Sequence, residues 1–287
     1  MEREPLAEQV RALEAGRAFV EHADVALVRV AGADARGWLH DLVTTDVRGL
    51  APGGSRPSLL LSPTGRVRAA FQVVALDERD VLLAQPDDQP HRIADLLAPY
   101  VLSSDVSVEL LPRLRLLSLP GARGAPPWSG RAWRPSIDGP GVDLLIGEAE
   151  REEARIRLGR EGRVEAAPDA VEAWRIGRGM PRFPVDLDED SLPAEAGLAD
   201  APVIDLGKGC FLGQEAVAKV RNLGHPVRVV LAATSEGPVA PGDEVVAGGV
   251  PVGAVTSANG RSAIVRVRWD ARDAPLATAA GVRIRPS

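Results

Sequence analysis

Gly207-Lys208-Gly209-Cys210-Phe211-Leu212-Gly213-Gln214-Glu215-Ala216-Val217-Ala218-Lys219-Val220 is the stretch on which the reading of the whole chain turns. It holds the sole cysteine, and both lysines of a chain whose other cationic side chains are all arginine. An ammonium is compact, rotatable and able to lose its proton, whereas a guanidinium is a fixed fork that keeps it. Lysine in so arginine-biased a chain points to a titratable charge. Gly207, Gly209 and Gly213 allow sharp turns or close backbone approach. From Gly213 onward Leu212, Ala216 and Val220 recur at helical spacing, Glu215 and Lys219 stand four apart in the favourable order, and Asn222 and Gly224 supply a stop. Cys210 therefore precedes a helix start, where backbone N–H groups and the helix dipole favour an anion, and Lys208 adds charge two residues away. The residues alone leave two roles open for Cys210: a thiolate used in chemistry, or a small buried hydrophobe in a turn, the commoner fate of a lone cysteine. A phosphate loop is disfavoured, because Gly-Lys is followed by Gly where that loop has Ser or Thr.

The rest of the composition narrows the class. A chain of 287 residues can bury a substantial core in two or three units. Its 45% hydrophobic and 26% charged residues are ordinary for a globular protein. A net charge of -6 speaks against an electrostatic grip on nucleic acid, which needs a basic face. One cysteine forms no intramolecular disulfide and cannot by itself hold an iron–sulfur cluster, and no two of His22, His40, His91 and His225 have metal-ligand spacing. No stably bound metal is expected. The opening Met1-Glu-Arg-Glu-Pro5 lacks the basic start and apolar run of a signal peptide, and no stretch is apolar for the length of a membrane span. A cytoplasmic protein without membrane contact is expected.

Working outward from the motif, residues 226–287 break into short strands and Gly-rich turns, which predicts a small β-barrel. Toward the N-terminus, 168–177 reads as a helix carrying Trp174 and Arg175, and 148–158 as a helix with a solvated, charged face. Residues 184–197, with Asp186, Asp188, Glu189 and Asp190, read as a solvated acidic loop without the Gly and Glu of an EF-hand. The pattern predicts a helix over 6–20, a strand over 25–30, a short helix capped by Asp34 through Leu42, a hairpin turning at 62–66 into a strand over 67–76, and further strands near 81–84, 106–110, 113–119 and 142–146. A short helix is expected over 91–99. Trp128 and Trp133 are expected to cover a core edge. The class is α+β, with ferredoxin-like layers.

Lys208-Gly-Cys210-Phe-x-Gly213-Gln214-Glu215, followed by Val-Ala-Lys-Val-Arg221-Asn222-Leu-Gly224, resembles the signature of the YgfZ family, folate-binding relatives of the glycine cleavage T-protein. The resemblance extends at lower density along most of the chain: a Leu-Val-Thr44-x-Asp46-Val element, Trp174-Arg175-Ile-Gly177, and Pro-Val-Gly253-Ala-Val255-Thr256-Ser257 near the end. It implies a T-protein-like region over 1–225, made of two interleaved α+β units with the second near 51–136, around a central channel, with the barrel at 226–287. It implies tetrahydrofolate as ligand, with Thr44, Asp46, Arg175 and Arg221 as candidate contacts and Arg175 or Arg221 as the cation for the acidic tail. It further implies support of iron–sulfur enzyme assembly or repair, including a tRNA-modifying enzyme, with such enzymes or cluster-assembly proteins as partners. Cys210 and Lys208 would carry that chemistry and Gly209, Gly213, Gln214 and Glu215 would shape the loop, the last two by capping. The carboxylates of a true aminomethyltransferase are replaced, by Ala69 and Ala70 after the hairpin and by Gly177 in the helix. The residues alone also permit Thr44 to Asp46 as a plain helix end and turn, and Arg175 as a surface ion-pair partner.

Overall fold

Ala69, Phe71, Val73 and Ala75 occupy every second position of one strand, and all four are buried in a single cluster with Val28, Val30, Leu39, Val81 and Leu83. This period-two burial is what one covered face of a sheet requires. The structure is a computed structural model that describes residues 5–199 and 202–287. The opening Met1-Glu-Arg-Glu therefore lies outside the described residues.

The chain forms two compact units by contact, one made of residues 1–60, 68–171 and 202–212, the other of 61–67, 172–201 and 213–287. The first unit carries two five-stranded sheets. Strands β1 (Ala18–His22), β7 (Leu114–Pro120), β8 (Arg131–Trp133), β9 (Gly141–Gly147) and β10 (Val164–Glu165) are ordered β10-β1-β7-β9-β8. Strands β2 (Val25–Ala31), β3 (Ser55–Leu61), β4 (Val67–Ala75), β5 (Asp80–Pro86) and β6 (Ser107–Leu110) are ordered β3-β4-β5-β2-β6. Leu27, Val74, Leu82 and Ala84 of one sheet meet Leu116 and Trp133 of the other in a shared cluster. The opposite face of the second sheet is covered by α2 (Ala35–Leu42) and α3 (Ile93–Leu97) through Ala35, Leu39, Ile93 and Leu97. On the first sheet, α4 (Arg151–Arg160) buries Ala154 and Leu158 against Phe19, Leu117 and Leu144.

The second unit contains part of α5 (Pro168–Gly177), all of α6 (Gln214–Leu223) and the C-terminal strands. Strands β11 (Arg228–Ser235), β12 (Glu244–Ala247), β13 (Val250–Asn259), β14 (Ser262–Arg268), β15 (Leu276–Thr278) and β16 (Arg283–Pro286) close into a barrel in the order β11-β14-β13-β12-β15-β16. Val245, Val255, Val265, Val267 and Ile284 fill it. The α+β body and the terminal barrel agree with the class read from the sequence. Compactness draws the second unit wider than the barrel alone, since residues 172–201 and α6 join it. Among the described residues no helix is long and apolar enough to cross a membrane.

Three local expectations are corrected. The helix over 6–20 ends early: α1 is Leu6–Glu14, and Ala18–His22 becomes β1, paired with β10 and β7. Sheet pairing from residues distant in sequence outweighs local helix propensity there. Asp34 does not cap α2 through its side chain; its Oδ2 accepts the Asp105 N–H at 2.9 Å. Residues 184–197 are not a solvated acidic loop. Asp186 is fully buried, Asp188 pairs with Arg266 at 2.6 Å, and Glu195, 3% exposed, pairs with Arg266 at 3.0 Å. Acidity in the sequence reads as solvation only when partners in the barrel strands are unknown.

Candidate functional site

The motif loop is held at both flanks of Cys210, and the holding residues lie in the first unit. On the N-terminal flank Asp205 N–H donates to the Thr44 carbonyl at 3.0 Å and Gly207 N–H donates to Asp205 Oδ1 at 2.8 Å. Lys208 and His40 then bind each other twice: His40 Nε2 donates to the Lys208 carbonyl at 3.0 Å, and the Lys208 ammonium donates to the His40 carbonyl. His40 is 4% exposed and sits near the C-terminal end of α2, whose orphan carbonyls want donors. On the C-terminal flank Phe211 is 6% exposed and its ring lies 5.3 Å below the Lys208 ammonium. Between these anchors Cys210 is exposed. The buried-hydrophobe reading of Cys210 is thereby removed.

The expected support of Cys210 by Lys208 takes a different form from the sequence expectation. The ammonium is directed to His40 and Phe211 rather than to the thiol, so its role is to fix the loop. Burial pulls the Lys208 amine down to about 8, against the opposing pull of Asp41, Asp46 and Asp205. Because the chain has only two lysines, this is directly measurable. Acetylation by a water-soluble succinimidyl ester, read by peptide mass spectrometry, is expected to reach half of its maximal rate at Lys208 near pH 8. A midpoint above about 10, the ordinary lysine range, would show that the amine is not desolvated.

The glycines of the loop are demanded by the backbone. Gly209 adopts φ 110° with open space around it, and Gly213 adopts φ 82° as the residue before α6. A Cβ on Gly213 would lie 2.5 Å from the Ser62 carbonyl oxygen and 3.0 Å from Leu61 Cβ. Left-handed strain of about 1–2 kcal/mol and forced displacement of about 1–3 kcal/mol make Gly213→Ala destabilising by about 2 kcal/mol or more. A thermal melt unchanged within 1 °C would contradict it. With glycine at this position the residue before α6 supplies no side-chain cap. Gln214 opens α6 half-buried, and Glu215 is exposed one residue later, where a carboxylate meets the positive end of the helix.

Of the four candidate folate contacts, two are already committed within the protein. Thr44 is fully buried: its Oγ1 donates to the Val203 carbonyl at 2.7 Å and accepts the Leu59 N–H at 2.9 Å. It splints β3 to the segment leading into the motif. Arg175, 8% exposed, spends all five N–H donors: two on Glu172, one on Asp186 at 2.7 Å, one on Ser257 at 2.8 Å and one on the Met180 carbonyl. It is neither a surface ion-pair partner nor a cation waiting for an acidic tail. Asp46 differs. Burial pushes its carboxyl up, but the Gly49 N–H and nearby His40, Arg56 and Lys208 outweigh it and hold the group below the usual carboxylate range. Its Oδ1 takes the Gly49 N–H at 3.0 Å and faces His40 Nδ1 at 3.1 Å, which leaves Oδ2 as an ionised acceptor. Arg221 is exposed in the last turn of α6, in the second unit, as is Arg175.

The three positions at which the resemblance leads one to expect carboxylates, Ala69, Ala70 and Gly177, are also placed. Ala69 lies within the core of the second sheet, where a carboxylate would be buried without a partner, and Ala70 is on the other strand face, its backbone bonded to the Gln89 amide at 3.0 and 2.6 Å. A Cβ on Gly177 would meet nothing within 4 Å. His40 is the residue that sequence reading missed. A lone histidine at a helix end carries no signal until the motif loop is folded against it.

Comparison with known proteins bears on the same architecture. The structure superposes on the glycine cleavage system aminomethyltransferase T from Bartonella henselae with a TM-score of 0.81, at 19% identity, over 97% of this chain and 87% of that one. Residues 225–287 match the CAF17 C-terminal beta-barrel domain. The barrel match and the shared fold fit the resemblance to the YgfZ family that the motif carries. Among its relatives is an Arabidopsis thaliana chloroplastic protein named as a candidate transferase, 24% identical over 88% of this chain. The chain spans 64% of that protein's length. An uncharacterized protein of Haemophilus influenzae is 26% identical over 74% of this chain and 71% of its own length, and a protein named aminomethyltransferase from Synechococcus is 25% identical over 80% and 72%.

Proposed function

We propose that this protein binds a tetrahydrofolate and supports the assembly or repair of iron–sulfur enzymes, a tRNA-modifying one among them, with Cys210 as the working group. The observation that carries the reading is an exposed sole cysteine on a loop fixed on both sides. In this reading the thiol loses its proton to solvent and the thiolate lends one sulfur ligand to an iron of the client's cluster. Lys208 and His40 hold the loop so that the sulfur is presented without first ordering the backbone. Tetrahydrofolate fits the structure in part. The ionised Asp46 supplies an acceptor for ring N–H donors. Thr44 contributes by shaping this element rather than by touching the ligand.

A second reading, folate-dependent aminomethyl transfer, is favoured by the fold and by the name of the Synechococcus relative. Against it stand Ala69, Ala70 and Gly177, which supply no carboxylate to stabilise a cation or move a proton. The two separate in one experiment. Anaerobic calorimetry with tetrahydrofolate is expected to show saturable binding by wild type and by Cys210→Ala alike, while Cys210→Ala removes the protein's support of iron–sulfur enzyme activity in cells. Full support by Cys210→Ala sinks the thiol role. Tetrahydrofolate-dependent formaldehyde release by the purified protein would establish the second reading.

A further inference from the structure

Outside the motif, the first unit carries an open cleft of about 500 Å³ along the exposed face of α2, lined by Asp34, Gly37, Trp38 and Asp41 of or beside that helix, by Arg48, and by Tyr100. Both of its walls are braced without a ligand. Trp38 Nε1 donates to the Tyr100 carbonyl at 2.9 Å, and Asp34 and Asp105 exchange backbone and side-chain bonds at 3.2 and 2.9 Å, which fixes the wall around residues 100–105. Arg36 donates to the Val47, Arg48 and Leu50 carbonyls and fixes the other. Leu102, next to this wall in sequence, is 86% exposed, an aliphatic side chain left in water. The turn of α2 that lines the cleft with Asp41 also binds the motif loop through His40, and Asp41 is a charge felt by Lys208. Anything lying in the cleft is therefore next to the loop that presents Cys210.

We propose that this cleft docks an extended polypeptide segment of a partner, one with a bulky apolar side chain set between basic residues. The apolar side chain would pack on Trp38, Tyr100 and Leu102, and the basic ones would meet Asp34 and Asp41. Two carboxylates against one guanidinium give the cleft a negative balance, within a chain of net charge -6. The Arg48–Asp41 pair, at 3.3 Å with side chains 57% and 62% exposed, is worth little and is readily exchanged for a ligand's charge. A small molecule fits less well, because such ligands are held by burying most of their surface, and these charged groups stand more than half in water. The inference names the surface used by the client of the function proposed above, and rests on that reading for the client's existence.

The test uses the full chain and a fluorescein-labelled peptide Gly-Ser-Arg-Leu-Phe-Arg-Ser-Gly, with a counterpart carrying glutamate for both arginines, followed by anisotropy at low salt. The basic peptide is expected to bind at least tenfold tighter than the acidic one. Leu102→Arg and Asp41→Lys, both at exposed positions, are each expected to weaken it at least fivefold without moving the melting temperature. Equal binding of the two peptides, no binding of either, or indifference to both variants overturns the proposal. So does a dimer in sedimentation that Leu102→Arg dissociates, which would make a second copy the occupant, or loss of tetrahydrofolate affinity in either variant, which would make the cleft a small-molecule site. Failure of Cys210→Ala to affect iron–sulfur enzymes would undo the proposed function and leave the peptide result standing.

Discussion

Arg175→Ala is expected to destabilise the fold by about 3–5 kcal/mol, because it strands a buried charge. Asp186 is fully buried and accepts from Arg175 Nη1 at 2.7 Å, from the Arg182 N–H at 2.9 Å, from Ser257 at 2.8 Å and from Thr256. Removing the guanidinium leaves the carboxylate its neutral donors and no cation, and frees Glu172, the Met180 carbonyl and Ser257 together. The network joins α5 to β13 within the second unit, so its loss is felt across that unit. In a chain of this size the loss corresponds to a fall in melting temperature on the order of 10 °C. Arg175→Lys is expected to recover little, since three ammonium donors cannot serve five fixed acceptors. An Arg175→Ala protein that melts like wild type and only binds tetrahydrofolate more weakly would return Arg175 to the ligand.

The second large effect belongs to a buried polar cluster of the first unit. Asp143 is fully buried and accepts from Ser118 Oγ at 2.6 Å, Ser136 Oγ at 2.5 Å, Ile137 N–H at 2.8 Å and Trp133 Nε1 at 3.2 Å. Ser118 in turn accepts from His22 Nε2 at 2.9 Å, and His22 pairs with Asp138 at 3.0 Å. Asp143→Ala leaves four donors unpaired at about 1 kcal/mol or more each, so a loss of about 4 kcal/mol is expected in a denaturant titration. Burial pushes the Asp143 carboxyl up to about 6, against the pull of Ser118 and Ser136, so it remains ionised at neutral pH, as four donors require.

His22 makes the same cluster sensitive to alkali. Burial lowers its pKa, but Asp138, Asp143 and Asp24 outweigh burial and raise it to about 9 from 6.5. A histidine raised on folding contributes stability that is complete below the unfolded value and disappears as pH climbs through the folded one. Stability is therefore expected to decline between about pH 6.5 and 9 by on the order of 3 kcal/mol. Asp143 titrates lower and leaves this window untouched. In His22→Gln, urea midpoints taken across the window should lose the decline attributable to this residue; an unchanged slope would refute the assignment.

Much of the architecture was legible in residue order alone. The strand after the 62–66 turn, the short strands after Pro226 and the helix after Gly213 were each readable from local pattern, and they stand as β4, the barrel strands and α6. The motif was legible for a different reason: cysteine and lysine are rare residue types for this chain, and Gly209 and Gly213 answer to backbone angles that few other residues adopt.

Sequence by itself thus determined the α+β class, the barrel and the place of the motif before a helix. Tertiary structure decided what the charged and polar residues do. Arg175 became a saturated buried hub, Thr44 a splint, Asp186 and Glu195 barrel partners, and Lys208 a clamp on His40 rather than a neighbour of the thiol. Apolar burial follows a short-range period that the chain carries with it, whereas a hydrogen bond or ion pair is defined by a partner that folding brings from far along the sequence: His40 and Lys208 are 168 residues apart.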